Sequence, residues 1–321
     1  MTSFLDNVTL QINLCAGDIL YAEQTVPKII ENHAAIKKIL LLVDTYKPQK
    51  TKIVNPEERF PEPDYSQKVS KIKEIATNFL KQGLVSDVYF FENDEQLIKK
   101  LASKYLHKSF THTHDTTGMA IMPYWAGIEK VTTQYVLHYD ADIITYHAKN
   151  YDWVSEAIAY MENEKDIVSA IARNAPPAEN IKDVPTFHQG RPIEEFQNFW
   201  LNDWFGTRCF LLDKNKLENY LPLLKGKLLA EAFGRRILDR NFPLSPEYVM
   251  FKQIGQQGGR KLILKNKNAW TLHPIYKKEE FCIYLPQIFK TIENNNIPQE
   301  QRGWEDMKWD IWKEFLGKNN S

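Results

Sequence analysis

Two carboxylates one residue apart, Asp140 and Asp142, follow the short run Tyr135-Val-Leu-His-Tyr139. The run is rich in β-branched and aromatic residues and has the length of a buried strand, which puts both acids at the strand's carboxyl end. Ligands of open α/β sheets bind at that end, so the pair is positioned to hold a hard divalent cation and, through it, a phosphate. Asp-x-Asp is equally common in solvated turns, and its chemistry depends on what else the chain brings beside it. Asp44 repeats the pattern after the apolar run 39–43, with a plain turn residue as the alternative. Glu247 follows Ser245-Pro246, where a first-turn acid is also explained by the positive end of a helix dipole. His273, in Trp270-Thr-Leu-His273-Pro, is a metal-ligand type standing alone, and a lone histidine is more often a polar surface or satisfied core residue. His112 and His114 are spaced to share a metal on a strand, but without a third ligand nearby they read as part of a polar loop, from which Asp115 and Gly118 can line a pocket.

These residues need elements to position them. A first strand over 8–14 leads through the small-residue loop Cys15-Ala16-Gly17-Asp18 into a helix over 19–32, which Pro27 leaves kinked or late in starting. The strand before Asp44 follows, then an excursion over 47–65 with prolines at 48, 56, 61 and 63, expected to be exposed and irregular. Val69, Ile72, Ile75 and Phe79 recur at helical spacing up to Gly83, and 85–91 is a strand, so the rhythm is βαβ. Asn93 is the expected N-cap of a helix reaching Tyr105, and a further helix is expected over 119–130. Asp152 caps a helix through Met161, and 167–172 is another strand. Residues 174–205 lose periodicity but carry Phe187, Phe196, Phe199, Trp200, Trp204 and Phe205, either a satellite core under a long loop or a wall of rings for a sugar or flat ligand. A strand over 206–212 and helices over 214–224 and 228–239 come next. Ser245 as N-cap, Pro246 as first helical residue and Gly258 past the end punctuate one more helix, before a strand over 261–264. Trp304, Met307, Ile311 and Phe315 form the stripe of a terminal amphipathic helix, expected to dock on its own domain rather than on a partner or membrane.

The 321 residues suffice for one large α/β unit, with 41 basic and 41 acidic side chains and therefore no whole-molecule field to draw in nucleic acid or an anionic membrane. Cys15, Cys209 and Cys282 fit neither a disulfide framework nor a zinc motif, which suggests a reducing cytoplasm. No run of 18 apolar residues and no basic, apolar leader is present, so the expectation is a cytoplasmic protein, with peripheral membrane attachment or a homo-oligomer left open.

Together these pieces resemble the nucleotide-sugar half of GT-A glycosyltransferases of the family 2 type: strand, small loop, helix, strand ending in Asp44, then Gly118-Met-Ala-Ile-Met-Pro-Tyr-Trp-Ala-Gly127 and Thr133-Gln-Tyr-Val-Leu-His-Tyr-Asp140-Ala-Asp142. Glu247, eleven residues before Gly258, falls where that family carries an acid in its acceptor half. Two departures stand out: Leu14-Cys-Ala-Gly-Asp18 replaces a Pro-Thr-Tyr-Asn-like loop, and Pro246-Glu247 replaces an acidic pair. The resemblance implies a Rossmann-like, mostly parallel sheet flanked by helices, with a nucleotide-sugar half (1–145), an acceptor half of the same domain (146–290) and a C-terminal helix (291–321). It implies a nucleoside-diphosphate sugar as donor and an acceptor hydroxyl on a glycan, lipid or small molecule, and it favours inversion at the sugar. Asp140, Asp142 and His273 would hold Mn2+ or Mg2+; Glu247, or Asp203 in its place, would be the base; Ala16, Asp44, Asp115, Gly118, Asp140 and Trp204 would contact substrate. A catalytically silent binding module and a nucleotidyltransferase are the alternatives, the second normally needing a glycine-rich phosphate loop that Gly17 alone does not make.

Overall fold

The computed structural model describes residues 4–92, 94–178 and 194–318. Its strands are β1 (Val8–Cys15), β2 (Lys38–Asp44), β3 (Asp87–Phe91), β4 (Tyr135–Asp140), β5 (Ile144–His147), β6 (Ile167–Ile171), β7 (Glu194–Glu195), β8 (Phe199–Asn202), β9 (Cys209–Asp213), β10 (Arg260–Leu264) and β11 (Ala269–Leu272). Nine of them form one sheet in the order β3-β2-β1-β4-β9-β6-β10-β8-β7, and β11 pairs with β5 in a second, two-stranded sheet. Strands β3, β2, β1 and β4 pair in parallel, as do β6 and β10, while β9 runs antiparallel between β4 and β6. The result is the expected α/β architecture, a mostly parallel central sheet flanked by helices.

Continuous apolar runs explain the parallel strands. In β1 and β2 nearly every side chain is buried, because helices cover both faces of the sheet. Helix Asp64–Lys81 puts Ile72, Ile75, Ala76 and Phe79 against one face. Helices Glu95–Tyr105 and Met122–Lys130 cover the other, where the Tyr105 and Trp125 rings stack at 5.0 Å. Register places Asn13 opposite Asp140 and Cys15 opposite Asp44, so the loop after β1 lies between the two strand-end carboxylates.

Several expectations are corrected. The helix expected from residue 19 is Ala22–Asn32, with Pro27 inside it, and the preceding loop is a 3-10 turn, Ala16–Leu20. Asp94 caps helix Glu95–Tyr105 by accepting from the Leu97 N–H, while Asn93 lies outside the described residues. The 47–65 excursion is not simply exposed: Pro48, Val54 and Pro56 are buried. It is tied to the loop 113–119 by Gln49 to Thr113, Thr51 to the Thr116 carbonyl and Arg59 to the Thr117 carbonyl. The helix expected from 119 starts at Met122, and the one expected over 214–224 ends at Glu218. Part of the aromatic stretch is neither loop nor wall but strand β8, which pairs with β10 and buries Trp200. Phe187 lies outside the described residues. The sequence pattern gave no sign of helix Glu279–Glu293, since Pro286 interrupts it midway. The terminal helix is Trp309–Lys318, shorter than its stripe, and Trp312 and Leu316 dock on Trp270, Phe281 and Leu285 of the same chain. Trp304 stays outside it and is exposed.

Candidate functional site

Asp140 ends β4, and a turn carries Asp142 away from the main sheet toward β5. Pairing of β5 with β11 then returns the chain's far end to this spot, since Leu272 lies opposite Ile144 and His273 follows directly. His273 Nε2 stands 3.8 Å from Asp142 Oδ2, although 131 positions separate the two residues in the sequence. On its other side, His273 Nδ1 lies 2.7 Å from Asp306 Oδ1. A carboxylate on one ring nitrogen fixes the ring's orientation and leaves the other nitrogen directed at Asp142, the arrangement seen behind metal-bound histidines. Arg208 braces Asp306 at 3.4 Å and Glu305 at 3.6 Å.

Asp142 has a second partner that sequence reasoning missed, the Lys277 ammonium, which bonds its Oδ2. Burial alone would lower the Lys277 pKa, but the Asp142 carboxylate beside it raises it above the ordinary lysine value. Asp142 Oδ1 is buried and has no hydrogen-bond partner. Asp18, in the turn after β1, belongs to the same cluster. It accepts from the Cys15 N–H at 2.7 Å and from the Tyr21 hydroxyl, and burial pushes its pKa from 3.8 to about 6, with Asp142 adding to the rise against the Tyr21 bond. Lys277 follows His273 by four residues and Asp18 follows β1 by three, so each was visible as the charged residue of a strand-end loop.

Asp140 is held from behind. The Tyr124 hydroxyl donates to its two oxygens at 2.9 and 3.1 Å, and His138 Nε2 lies 3.2 Å from Oδ1. His138 Nδ1 in turn meets Gln11 Oε1 at 2.6 Å. Helix Met122–Lys130 crosses above Gln11 at Gly127, where a Cβ would come within 2.9 Å of the Gln11 side chain, so only glycine allows this approach. The two carboxylates of the Asp-x-Asp therefore differ: Asp140 is locked by neutral donors and an imidazole, while Asp142 keeps one buried oxygen unpaired.

A cavity of about 240 Å3 opens beside His273, lined also by Trp204, Arg208, Glu247, Lys261 and Glu305. Glu247 sits in the first turn of helix Pro246–Gln253, but its carboxylate is used across the fold: Oε1 accepts from the Thr207 N–H at 3.0 Å and lies 3.3 Å from the Thr207 hydroxyl. Lys261, buried in β10, has its pKa lowered by burial against the opposing pull of Glu305 and Glu247. Trp204 packs on Phe251 at 5.2 Å. A larger cavity, about 960 Å3, is lined by His33, Thr145, His147 and Phe289 and holds neither His273 nor Glu247; Asp140 and Asp142 line neither cavity, but the smaller one holds Glu247 and His273, which reaches Asp142 at 3.8 Å, and is the candidate site.

The remaining candidates divide. Asp44 is buried at the end of β2, its Oδ1 accepting from the Tyr46 N–H at 3.0 Å and its Oδ2 lying 3.1 Å from His114 Nε2, so His114 partners a carboxylate. Asp115 turns its Oδ1 onto its own loop, accepting from Thr117 and from the Met119 N–H, and Gly118 packs beneath Pro48, Val54 and Arg59. Neither lines the cavity; Met119 next to them does. Asp203 also stays outside the cavity lining, its carbonyl pressed against Gly255, while Ala16 is buried in the turn beside Asp18. Among the described residues no group of three or more His, Cys, Asp or Glu side chains is arranged to hold a metal ion. Asp142 and His273 are the pair whose donors fit one: an unpaired buried carboxylate oxygen and an oriented imidazole nitrogen.

No family model and no curated protein matches the chain. Among solved structures it is similar to the galactosyltransferase LgtC in complex with donor and acceptor sugar analogues, at 7% identity and a TM-score of 0.36, covering 79% of this chain and 72% of that one. It is similar to apo UDP-glucose pyrophosphorylase at 9% identity and a TM-score of 0.42, covering 90% and 98%. The core-mannan synthase A (CmsA/Ktr4) of Aspergillus fumigatus, in its Mn/GDP form, gives 11% identity and a TM-score of 0.25 over 56% of this chain and 44% of that one.

Proposed function

We propose that the chain is a glycosyltransferase that moves a sugar from a nucleoside-diphosphate donor to an acceptor hydroxyl. The observation that carries the reading is the meeting of Asp142, beyond the end of β4, with the Asp306-oriented His273 from the far end of the chain. Asp142 and His273, with Asp140 behind them, would hold a divalent cation, manganese suiting the mixed oxygen and nitrogen donors and magnesium the alternative. Such a cation, when bound, offsets the charge that gathers on the departing diphosphate. Lys277 supports the same end, because an ammonium on a flexible stem can leave Asp142 for a phosphate oxygen. Asp44, held by His114 and the Tyr46 N–H, is the candidate contact for the nucleoside, and Trp204 offers a ring face to a sugar.

Glu247 is the base in this reading. Thr207 anchors one of its oxygens at the cavity, and the other would take the proton of the attacking hydroxyl. A positioned base beside a single displacement goes with inversion at the sugar. A nucleotidyltransferase is the less favoured reading, because it needs backbone N–H groups presented to a phosphate after the first strand, and here the Asp18 carboxylate occupies the Cys15 N–H. The test is Glu247→Gln, assayed for transfer with donor binding measured in parallel. Transfer should fall about 10²-fold or more while donor affinity is kept, since only the proton acceptor is lost. Transfer at the wild-type rate would return Glu247 to a helix-start residue and pass the role to Asp203.

A further inference from the structure

Helix Gly226–Leu238 ends on the surface with Ile237 and Leu238 exposed at 82% and 62%, and Ile53, from the proline-rich excursion, is 64% exposed. The two segments are joined: Lys52 Nζ lies 3.1 Å from Asp239 Oδ2, so the three aliphatic side chains project from one corner. Arg236 and Arg240 flank the pair Ile237 and Leu238. At the helix end, 235–241, Arg235, Arg236 and Arg240 stand with Asp239 as the one acid, and Lys50 and Lys52 lie beside Ile53, in a chain whose total charge is zero; of these Lys52 is paired with Asp239 and Arg235 with Glu231. Ile275 and Ile283 are just as exposed, but the segment 275–283 that joins them carries two lysines and two glutamates, with no excess of either sign.

We propose that this corner docks on an anionic lipid bilayer. Exposed aliphatic side chains at a helix end, flanked by arginines, match the interface between acyl chains and negative headgroups, the first entering it and the second meeting the phosphates. A protein partner would have to supply an acidic rim around an apolar pocket, whereas an anionic membrane offers both layers over any area. The corner also adjoins the candidate site. After Asp239 the chain runs to Pro243, whose carbonyl accepts from the Thr116 N–H, beside the loop whose Met119 lines the cavity. Helix Pro246–Gln253, with Glu247, starts three residues later. Resting on the transferase reading, this geometry favours an acceptor hydroxyl carried on a lipid; the docking itself does not depend on that reading.

The test is cosedimentation of the full chain with vesicles of phosphatidylcholine alone or mixed with phosphatidylglycerol, at low and high salt, with size-exclusion chromatography alongside. The protein should bind the mixed vesicles, bind the neutral ones weakly or not at all, and release as salt rises. The double variant Ile237→Asp/Leu238→Asp should abolish binding, and Arg236→Glu/Arg240→Glu should lower partitioning by about tenfold or more. All four positions are exposed and the tertiary hydrogen bond at stake is Arg236 to the Ser109 carbonyl at 3.2 Å, so circular dichroism should match the wild type, and thermal midpoints should match for the aspartate variant and fall by a few degrees at most for the glutamate variant. Equal binding to both vesicle types, no binding to either, or wild-type binding by the aspartate variant would overturn the proposal. So would a dimer that the aspartate substitutions dissociate in the absence of vesicle binding, which would assign the corner to a second copy of the chain.

Discussion

Asp18 and Asp142 are two carboxylates pressed into one buried cluster, with Lys277 bonded to the second and close enough to the first to act on its charge. Burial raises the Asp18 pKa in the folded state to about 6. A raised carboxyl pKa means that the folded state holds its proton longer than the unfolded chain does, so stability from this group is full below about 4 and is lost as pH rises through about 6. Asp18→Asn does not titrate. Whatever the amide costs by losing one of the two acceptor oxygens, the thermal midpoint of the variant relative to wild type should climb between pH 4 and pH 7. A difference that stays flat across that range would contradict the raised pKa.

At the scale of elements, the Asp-x-Asp, the strand before Asp44 and the capped helix beginning at Pro246 were legible because each is local: an apolar run of strand length, then a polar residue that ends it. Asp152 and Ser245 cap as their sequence positions suggest. What was not legible depends on contacts between distant segments. Nothing near His273 announces Asp306, and nothing near Glu247 announces Thr207, because pairing of β5 with β11 and the packing of helix Pro246–Gln253 create those meetings. The aromatic stretch misled for the same reason, since burial by β10 rather than composition decides that Trp200 is core and Trp204 is cavity lining. The terminal helix closes this second layer. Trp312 is fully buried against Phe281 and Leu285, and its ring N–H donates to Gln301 Oε1 at 3.0 Å. Gln301 also accepts from the Lys308 N–H, so the ring and the loop that carries Asp306 share one anchor. Trp312→Ala should therefore cost about 3–5 kcal/mol in chemical denaturation. A loss under about 1 kcal/mol would mean that the helix is not part of the cooperative fold.

For the whole molecule, one sheet runs through both halves of the chain, because β4 pairs with β9 and the strands beyond it return from residues 167–264. The proposed donor contacts Asp44 and Asp140 end parallel strands, the candidate base lines a cavity with His273, and the proposed cation pair Asp142 and His273 meets only when the last fifth of the chain folds back. No described helix is long and apolar enough to cross a membrane. The zero net charge hides a local excess of basic residues at the corner around Ile237. The proposed transferase activity turns on Asp142 and His273 forming a cation-dependent site for a nucleoside diphosphate. The direct measurement is calorimetric titration of the wild type and of Asp142→Ala with UDP, GDP, ADP and CDP, each with manganese and again with chelator. At least one diphosphate should bind the wild type with manganese, lose most of its affinity with chelator, and fail to bind Asp142→Ala at any manganese concentration. Equal affinity in chelator, or an unchanged dissociation constant in Asp142→Ala, would contradict it.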